Sequence, residues 1–138
     1  MAKRPLDRIL RVRTLQVGLA QAEEARARDR LQSETALAHR IAELANQVAP
    51  ATSTAHALSI SAAASLRERL NHSADAARDR LRAAEYQARL AAEATQAARR
   101  DQSAVEKLMA RADAEAALAA IRKLEEAPPV RKVRHDPC

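Results

Sequence analysis

The sequence predicts an all-α protein, a long antiparallel two-helix coiled-coil hairpin with a longer C-terminal helix. Three observations carry this. Ala makes up about a quarter of the 138 residues, and with Arg, Leu, Glu and Gln it dominates the chain. All five are strong helix formers. One Tyr and no Phe or Trp leave little aromatic support for a sheet or a bulky globular core. Finally, one stretch between Glu43 and Arg67 lacks any charged residue, in a chain that is 30% charged, and it holds Pro50, Thr52-Ser53-Thr54 and His56. Long Ala-rich segments on either side of a breaker are the pattern of a helical rod folded back once. At this length a single domain is expected.

Helix 1 is expected over about 5–48. Pro5 suits a first helical turn, where its missing N–H costs nothing, and Asp7 complements the helix dipole. Gly18 is a tolerated weak point. Asp7–Arg11 and Glu24–Arg28 are acid-first i,i+4 pairs, each contributing tenths of a kcal/mol. The far half carries Leu37, Ile41, Leu44 and Val48 at steps of four, three and four, which predicts a coiled-coil seam. The near half is apolar on two sides. Leu6, Leu10 and Val17 fall on one face, while Val12, Leu15 and Leu19 fall roughly opposite. One partner helix covers only one of these faces, so the other is expected to bind something else.

The bend is placed at about 49–53, because Pro50 disfavours helix at Ala49 and the Thr-Ser-Thr run can cap a new helix. Asn71 to Asp75 is a rival turn that would equalise the arms. Helix 2 then runs over about 54–127, about 110 Å long against about 65 Å for helix 1. Its last two dozen or so residues are expected to project, carrying Val105, Leu108, Met109, Leu118, Ile121 and Leu124. Ala83, Ala84, Ala88, Ala91 and Ala98 allow close approach in the middle but bury little, so the rod should be marginally stable. Pro128-Pro129 stops the helix, and 128–138 reads as a disordered basic tail.

The net charge of +6 sits at the ends of the chain. Residues 1–13 carry Lys3, Arg4, Arg8, Arg11 and Arg13 against Asp7, and 128–138 carry Arg131, Lys132 and Arg134 against Asp136. The 114 residues between them balance at 16 basic and 16 acidic. A rod that tracks nucleic acid should be basic along its length, and Tyr86 alone makes no stacking platform.

No catalytic or cofactor constellation is legible, and no enzyme, metal or cofactor is expected. His39, His56, His72 and His135 lack metal-site spacing, no Cys-x-x-Cys occurs, and a single Gly forms no phosphate loop. His39 and His72 are expected as solvated surface residues. Cys138 permits no internal disulfide and is no prenylation box. Met1 to Arg4, followed by Pro5, Asp7, Arg8 and Arg11, lacks the apolar core of a secretory signal. The uncharged stretch is too rich in Asn, Gln, Ser, Thr and His to span a bilayer. A cytoplasmic binding or mechanical protein is expected.

The opening Pro5-Leu6-Asp7-Arg8-Ile9-Leu10-Arg11-Val12-Arg13 and the segment Val105 to Glu115, followed by Glu125-Glu126 and a short basic tail, resemble the FliJ-type proteins of flagellar type III export. YscO-type injectisome stalk proteins are cousins of that family. The resemblance implies an antiparallel coiled coil like the central shaft of a rotary ATPase. It implies binding of the hexameric export ATPase by the end bearing both termini, here Leu6, Arg8, Leu10, Arg11, Val12, Arg13, Leu15, Leu19, Leu108, Leu118, Ile121 and Leu124. The middle and tip of such proteins engage the export gate in the membrane, for which Leu37, Ile41, Leu44, Leu66 and Leu70 are the candidates. ATP hydrolysis is thereby coupled to secretion, and some members escort export chaperones. The implied location is cytoplasmic, peripheral at the inner-membrane export apparatus and reached through partners only, with no specific nucleic acid. Two other readings stay open. One is a nucleic-acid- or ribosome-associated protein using the basic ends, and the other a phasin-like amphipathic coat.

Overall fold

The computed structural model describes residues 3–48 and 57–128. Among these the chain is all-helical: α1 spans Lys3–Gln47 (45 residues) and α2 spans Ala57–Glu125 (69 residues), and the two pack on each other. Pro5 lies in the first turn of α1, where a backbone N–H has no intrahelical acceptor anyway. The end of α2 is closed by Glu126 N–H donating to the Arg122 carbonyl at 3.0 Å, with Arg122 and Lys123 in the last turn favouring the dipole. Pro128 follows. The chain exposes 11901 Å². A globular chain of 15.0 kDa exposes about 7,000 Å², so this is an extended body.

Four contacts between the helices fix their register. Arg13 donates to Asp101 at 3.0 Å, Arg80 to Glu34 at 3.3 Å, Gln102 to Thr14 at 3.5 Å, and Arg67 to the Val48 carbonyl at 3.1 Å. The residue numbers of each pair add to between 114 and 116, so the helices run antiparallel with one constant offset. Burial repeats the same message. On α1 the covered positions begin Leu6, Leu10, Arg13, Val17, Ala20, Glu24 and continue in alternating steps of four and three to Val48. On α2 the same steps lead from Ala63 to Ala112. A strict seven-residue repeat of this kind keeps the seam facing its partner only if the pair supercoils.

The seam is unusual in what fills it. The register sets Leu31 opposite Ala84, Ile41 opposite Ala74, Leu70 opposite Ala45, and Ala38 opposite Ala77. Ala77 is 1% exposed. Polar residues also occupy seam positions. Thr95 is 3% exposed, and its hydroxyl donates back to the Ala91 carbonyl at 3.1 Å, which satisfies it inside the helix. Glu24, which pairs with Arg28, and Glu34, which pairs with Arg80, have their stems partly covered.

Three sequence expectations change. The bend at about 49–53, the Thr52–Thr54 cap and the expected start of helix 2 at about 54 lie outside the described residues, among which α2 begins at Ala57. The rival turn is excluded, because Asn71 to Asp75 lies inside α2. The far seam of α1 is Ala38, Ile41, Ala45 and Val48 rather than Leu37, Ile41, Leu44 and Val48. Leu37 and Leu44 are 41% and 50% exposed. Each stands one position before the alanine that faces α2. Val105 is buried and Met109 half-buried, where projection of both was expected. The register explains this: Met109 lies level with Leu6 and Ala112 with Lys3, so only 113–125 run beyond the start of α1, about 20 Å of helix.

Candidate interaction surfaces

The seam divides the predicted site residues into those used by the fold and those left over. Leu6, Leu10 and Arg13 belong to the seam, and so do Ile41 and Leu70 nearer the bend. Each is half-buried against the other helix, so none presents a free side chain. Arg8, Arg11, Val12, Leu15 and Leu19 are exposed. Leu15 and Leu19 are each 69% exposed, and with Val12 they form the outward stripe expected on the side of α1 away from α2. Leu10, Arg11, Thr14 and Leu15 line an open hollow beside this stripe. The two-sided reading of the α1 start therefore matches the packing among the described residues: one side is covered by α2, and Val12, Leu15 and Leu19 on the other are exposed.

The end of α2 carries a second apolar surface. Leu118 and Ile121 are more than half exposed and Leu124 is 76% exposed, all on helix that lies beyond the level of Lys3. Charged residues of both signs flank them, the acidic Asp113, Glu115, Glu125 and Glu126 and the basic Arg122 and Lys123. Leu108 is exposed but sits within the paired length, at the edge of the seam. Near the other pole Leu37, Leu44 and Leu66 are all about half exposed. They flank the seam residues Ala38, Ala45 and Arg67, which places them along the groove between the helices.

The electrostatics are those of a solvated rod. Most ion pairs lie within one helix at i,i+3 or i,i+4, such as Arg26–Glu23 at 2.6 Å and Arg78–Asp75 at 3.2 Å. Arg13–Asp101 and Arg80–Glu34 cross between the helices. His39 lies 3.5 Å from Glu43 on the α1 surface, and His72 is exposed. Among the described residues no group of three or more His, Cys, Asp or Glu side chains could hold a metal ion, and no helix is long and apolar enough to cross a membrane.

Residues that reasoning from sequence missed are the polar members of the seam and the leucines along its edge. Their signal was the sevenfold spacing itself, which runs through alanines and glutamates that carry no apolar emphasis. Comparison with protein-family models, curated proteins and solved structures found no match. What defines the class is therefore the fold and its surfaces: an all-α protein of two packed helices with large aliphatic side chains on the outside.

Proposed function

We propose that this chain is a coiled-coil hairpin with a longer C-terminal arm that acts as a stalk protein of the FliJ type in a type III, flagellar-like export apparatus. In this reading the end bearing both termini sits in the ring of the hexameric export ATPase. Surfaces nearer the bend reach the export gate, and the protein couples ATP hydrolysis to secretion without catalysing anything itself. It lies in the cytoplasm, held at the inner membrane by its partners, and some of its traffic includes export chaperones.

The observation that carries this is the outward stripe Val12-Leu15-Leu19 beside exposed Arg8 and Arg11, with Leu118, Ile121 and Leu124 on unpaired helix at the same pole. A shaft surrounded by a ring needs apolar contacts on sides its own seam does not use. The ATPase contact narrows to Arg8, Arg11, Val12, Leu15, Leu19, Leu118, Ile121 and Leu124, because Leu6, Leu10 and Arg13 serve the seam and Leu108 lies at its edge within the paired length. The gate contact narrows likewise to Leu37, Leu44 and Leu66.

The test is a pulldown of the export ATPase from the same cell by the full chain. Leu15→Asp/Leu19→Asp and Leu118→Asp/Ile121→Asp should each abolish capture while the far-UV dichroism is unchanged, since none of the four is covered by the other helix. Equal capture by all three proteins, or none by the wild type, would sink the proposal. The net charge of +4 on residues 1–13 favours one competitor, nucleic-acid binding. That reading requires affinity for DNA or RNA that falls steeply with salt and disappears on removal of residues 1–13.

A further inference from the structure

We infer that the chain forms an antiparallel dimer through one edge of its seam, a property that goes beyond the stalk reading and uses none of Leu15, Leu19 or 118–124. Positions one before a seam residue recur at sevens: Ile9, Leu37 and Leu44 on α1, and Leu66 and Leu108 on α2. Arg80 and Asp101, the α2 members of the two cross-helix ion pairs, belong to the same set. In an antiparallel pair these positions on both helices line the same edge.

Along that edge the apolar residues are not spread evenly. Each of the five is about half exposed. By the register, Leu108 lies level with residue 7 of α1, so Ile9 and Leu108 form one cluster near the termini. Leu66 lies just past the level of Val48 and joins Leu37 and Leu44 in a second cluster near the bend. About 35 residues, on the order of 50 Å, separate the two clusters. Turning a second copy end for end lays each cluster on the other copy's opposite cluster, with the two-fold axis near residue 25 of α1.

Charge on the same edge selects the same axis. Asp101, level with residue 14, and Glu23 make the half nearer the termini acidic. Arg30 and Arg80, the latter level with residue 35, make the half nearer the bend basic. Inversion about residue 25 puts Asp101 over the second copy's Arg80 and Glu23 over its Arg30. The Asp101 and Arg80 side chains already pair within the hairpin, yet both remain about half exposed and can join a four-member network. Three independent pairs of levels thus share one midpoint, which a closed, self-complementary contact requires. The overlap is about 60 Å long and about 10 Å wide, on the order of 1,200 Å² over both copies, at the lower bound of specific stable interfaces. A parallel second copy would stack like charge on like and is disfavoured. The dimer covers Leu37, Leu44 and Leu66, so any partner that binds there must displace the second copy.

Sedimentation equilibrium of the full chain should give a mass near twice 15.0 kDa at high concentration. Leu37→Lys/Leu44→Lys should return it to the monomer mass with helicity intact. Glu23→Arg should lower the dimer fraction, and adding Arg30→Glu should restore it. In a Cys138→Ser background, oxidation of an equal mixture of Ile9→Cys and Leu44→Cys chains should link residue 9 of one copy to residue 44 of the other. A monomer at every concentration, a dimer indifferent to Leu37→Lys/Leu44→Lys, or a dominant 44–44 link would each overturn the inference.

Discussion

Replacing an alanine should damage this protein more than replacing a leucine. Ala77 is 1% exposed and faces Ala38, in the layer where the register brings two small residues together. Ala77→Gln places an additional methylene and a carboxamide in that gap. Overpacking costs about 1–3 kcal/mol, and an amide without a partner costs about 1–3 kcal/mol more. Because the helices can part locally, about 3 kcal/mol in all is expected. Leu15 is 69% exposed, so about a third of its burial is at stake, about 0.7 kcal/mol on a scale of about 2 kcal/mol for a full leucine. Gln and Leu have nearly equal helix propensity, and Ala exceeds Gln by tenths of a kcal/mol, so propensity does not decide the contrast. At about 4 °C per kcal/mol for a chain of this size, Ala77→Gln should lower the Tm by roughly 12 °C and Leu15→Gln by roughly 3 °C. Far-UV dichroism melts at dilutions where the chain is monomeric provide the measurement. Equal shifts, or a larger one for Leu15→Gln, would refute the alanine seam and with it the register.

Gly18 is helical, and a Cβ built on it meets nothing within 4 Å, so Gly18→Ala should stabilise the chain by about 1 kcal/mol and raise the Tm by a few degrees. Arg67→Ala removes the donor to the Val48 carbonyl at the C-terminal end of α1, and a loss of about 1 kcal/mol is expected in urea titrations. Amide hydrogens of 113–125 should exchange far faster than those of 77–105, since only the latter have a second helix beside them; uniform protection would mean that α2 is covered to its end.

Helix content and the fold-back were legible because they rest on local signals: alanine and arginine in bulk, and a charge-free stretch holding Pro50. The opposed faces of the α1 start were legible for the same reason, since Val17 against Leu15 and Leu19 is a contrast within three turns. The seam of the far half was not. Reading for large apolar residues selects Leu37 and Leu44, while the packing selects Ala38 and Ala45, which the register sets opposite Ala77 and Leu70. Polar members of the seam were hidden likewise. Glu34 looks like a surface residue until Arg80 is placed beside it. The projecting length was overestimated because the offset between the helices depends on where the chain crosses over, and a breaker marks only the neighbourhood of that point.

The distribution of side-chain size is itself an argument about function. A two-helix rod has little interior, and a chain selected for stability alone would spend its large aliphatic residues there. Here the least exposed aliphatic positions are Val17, Ala77, Ala84 and Val105, while Leu15, Leu19, Leu118, Ile121 and Leu124 stand outside. An alanine seam gives up hydrophobic stabilisation but draws the two helices close, which makes the rod thin and leaves the bulky residues free on its outer surfaces. Those residues contribute little to the isolated chain and a great deal to any complex that covers them. Binding to the folded form alone then adds stability in proportion to the logarithm of partner concentration over Kd, and a hundredfold excess over Kd contributes about 2.7 kcal/mol. That is comparable to the loss expected from Ala77→Gln. A saturating partner at the termini should therefore recover most of the Tm lost by Ala77→Gln, whereas it should recover nothing in Leu15→Asp/Leu19→Asp, where the surface it needs is gone.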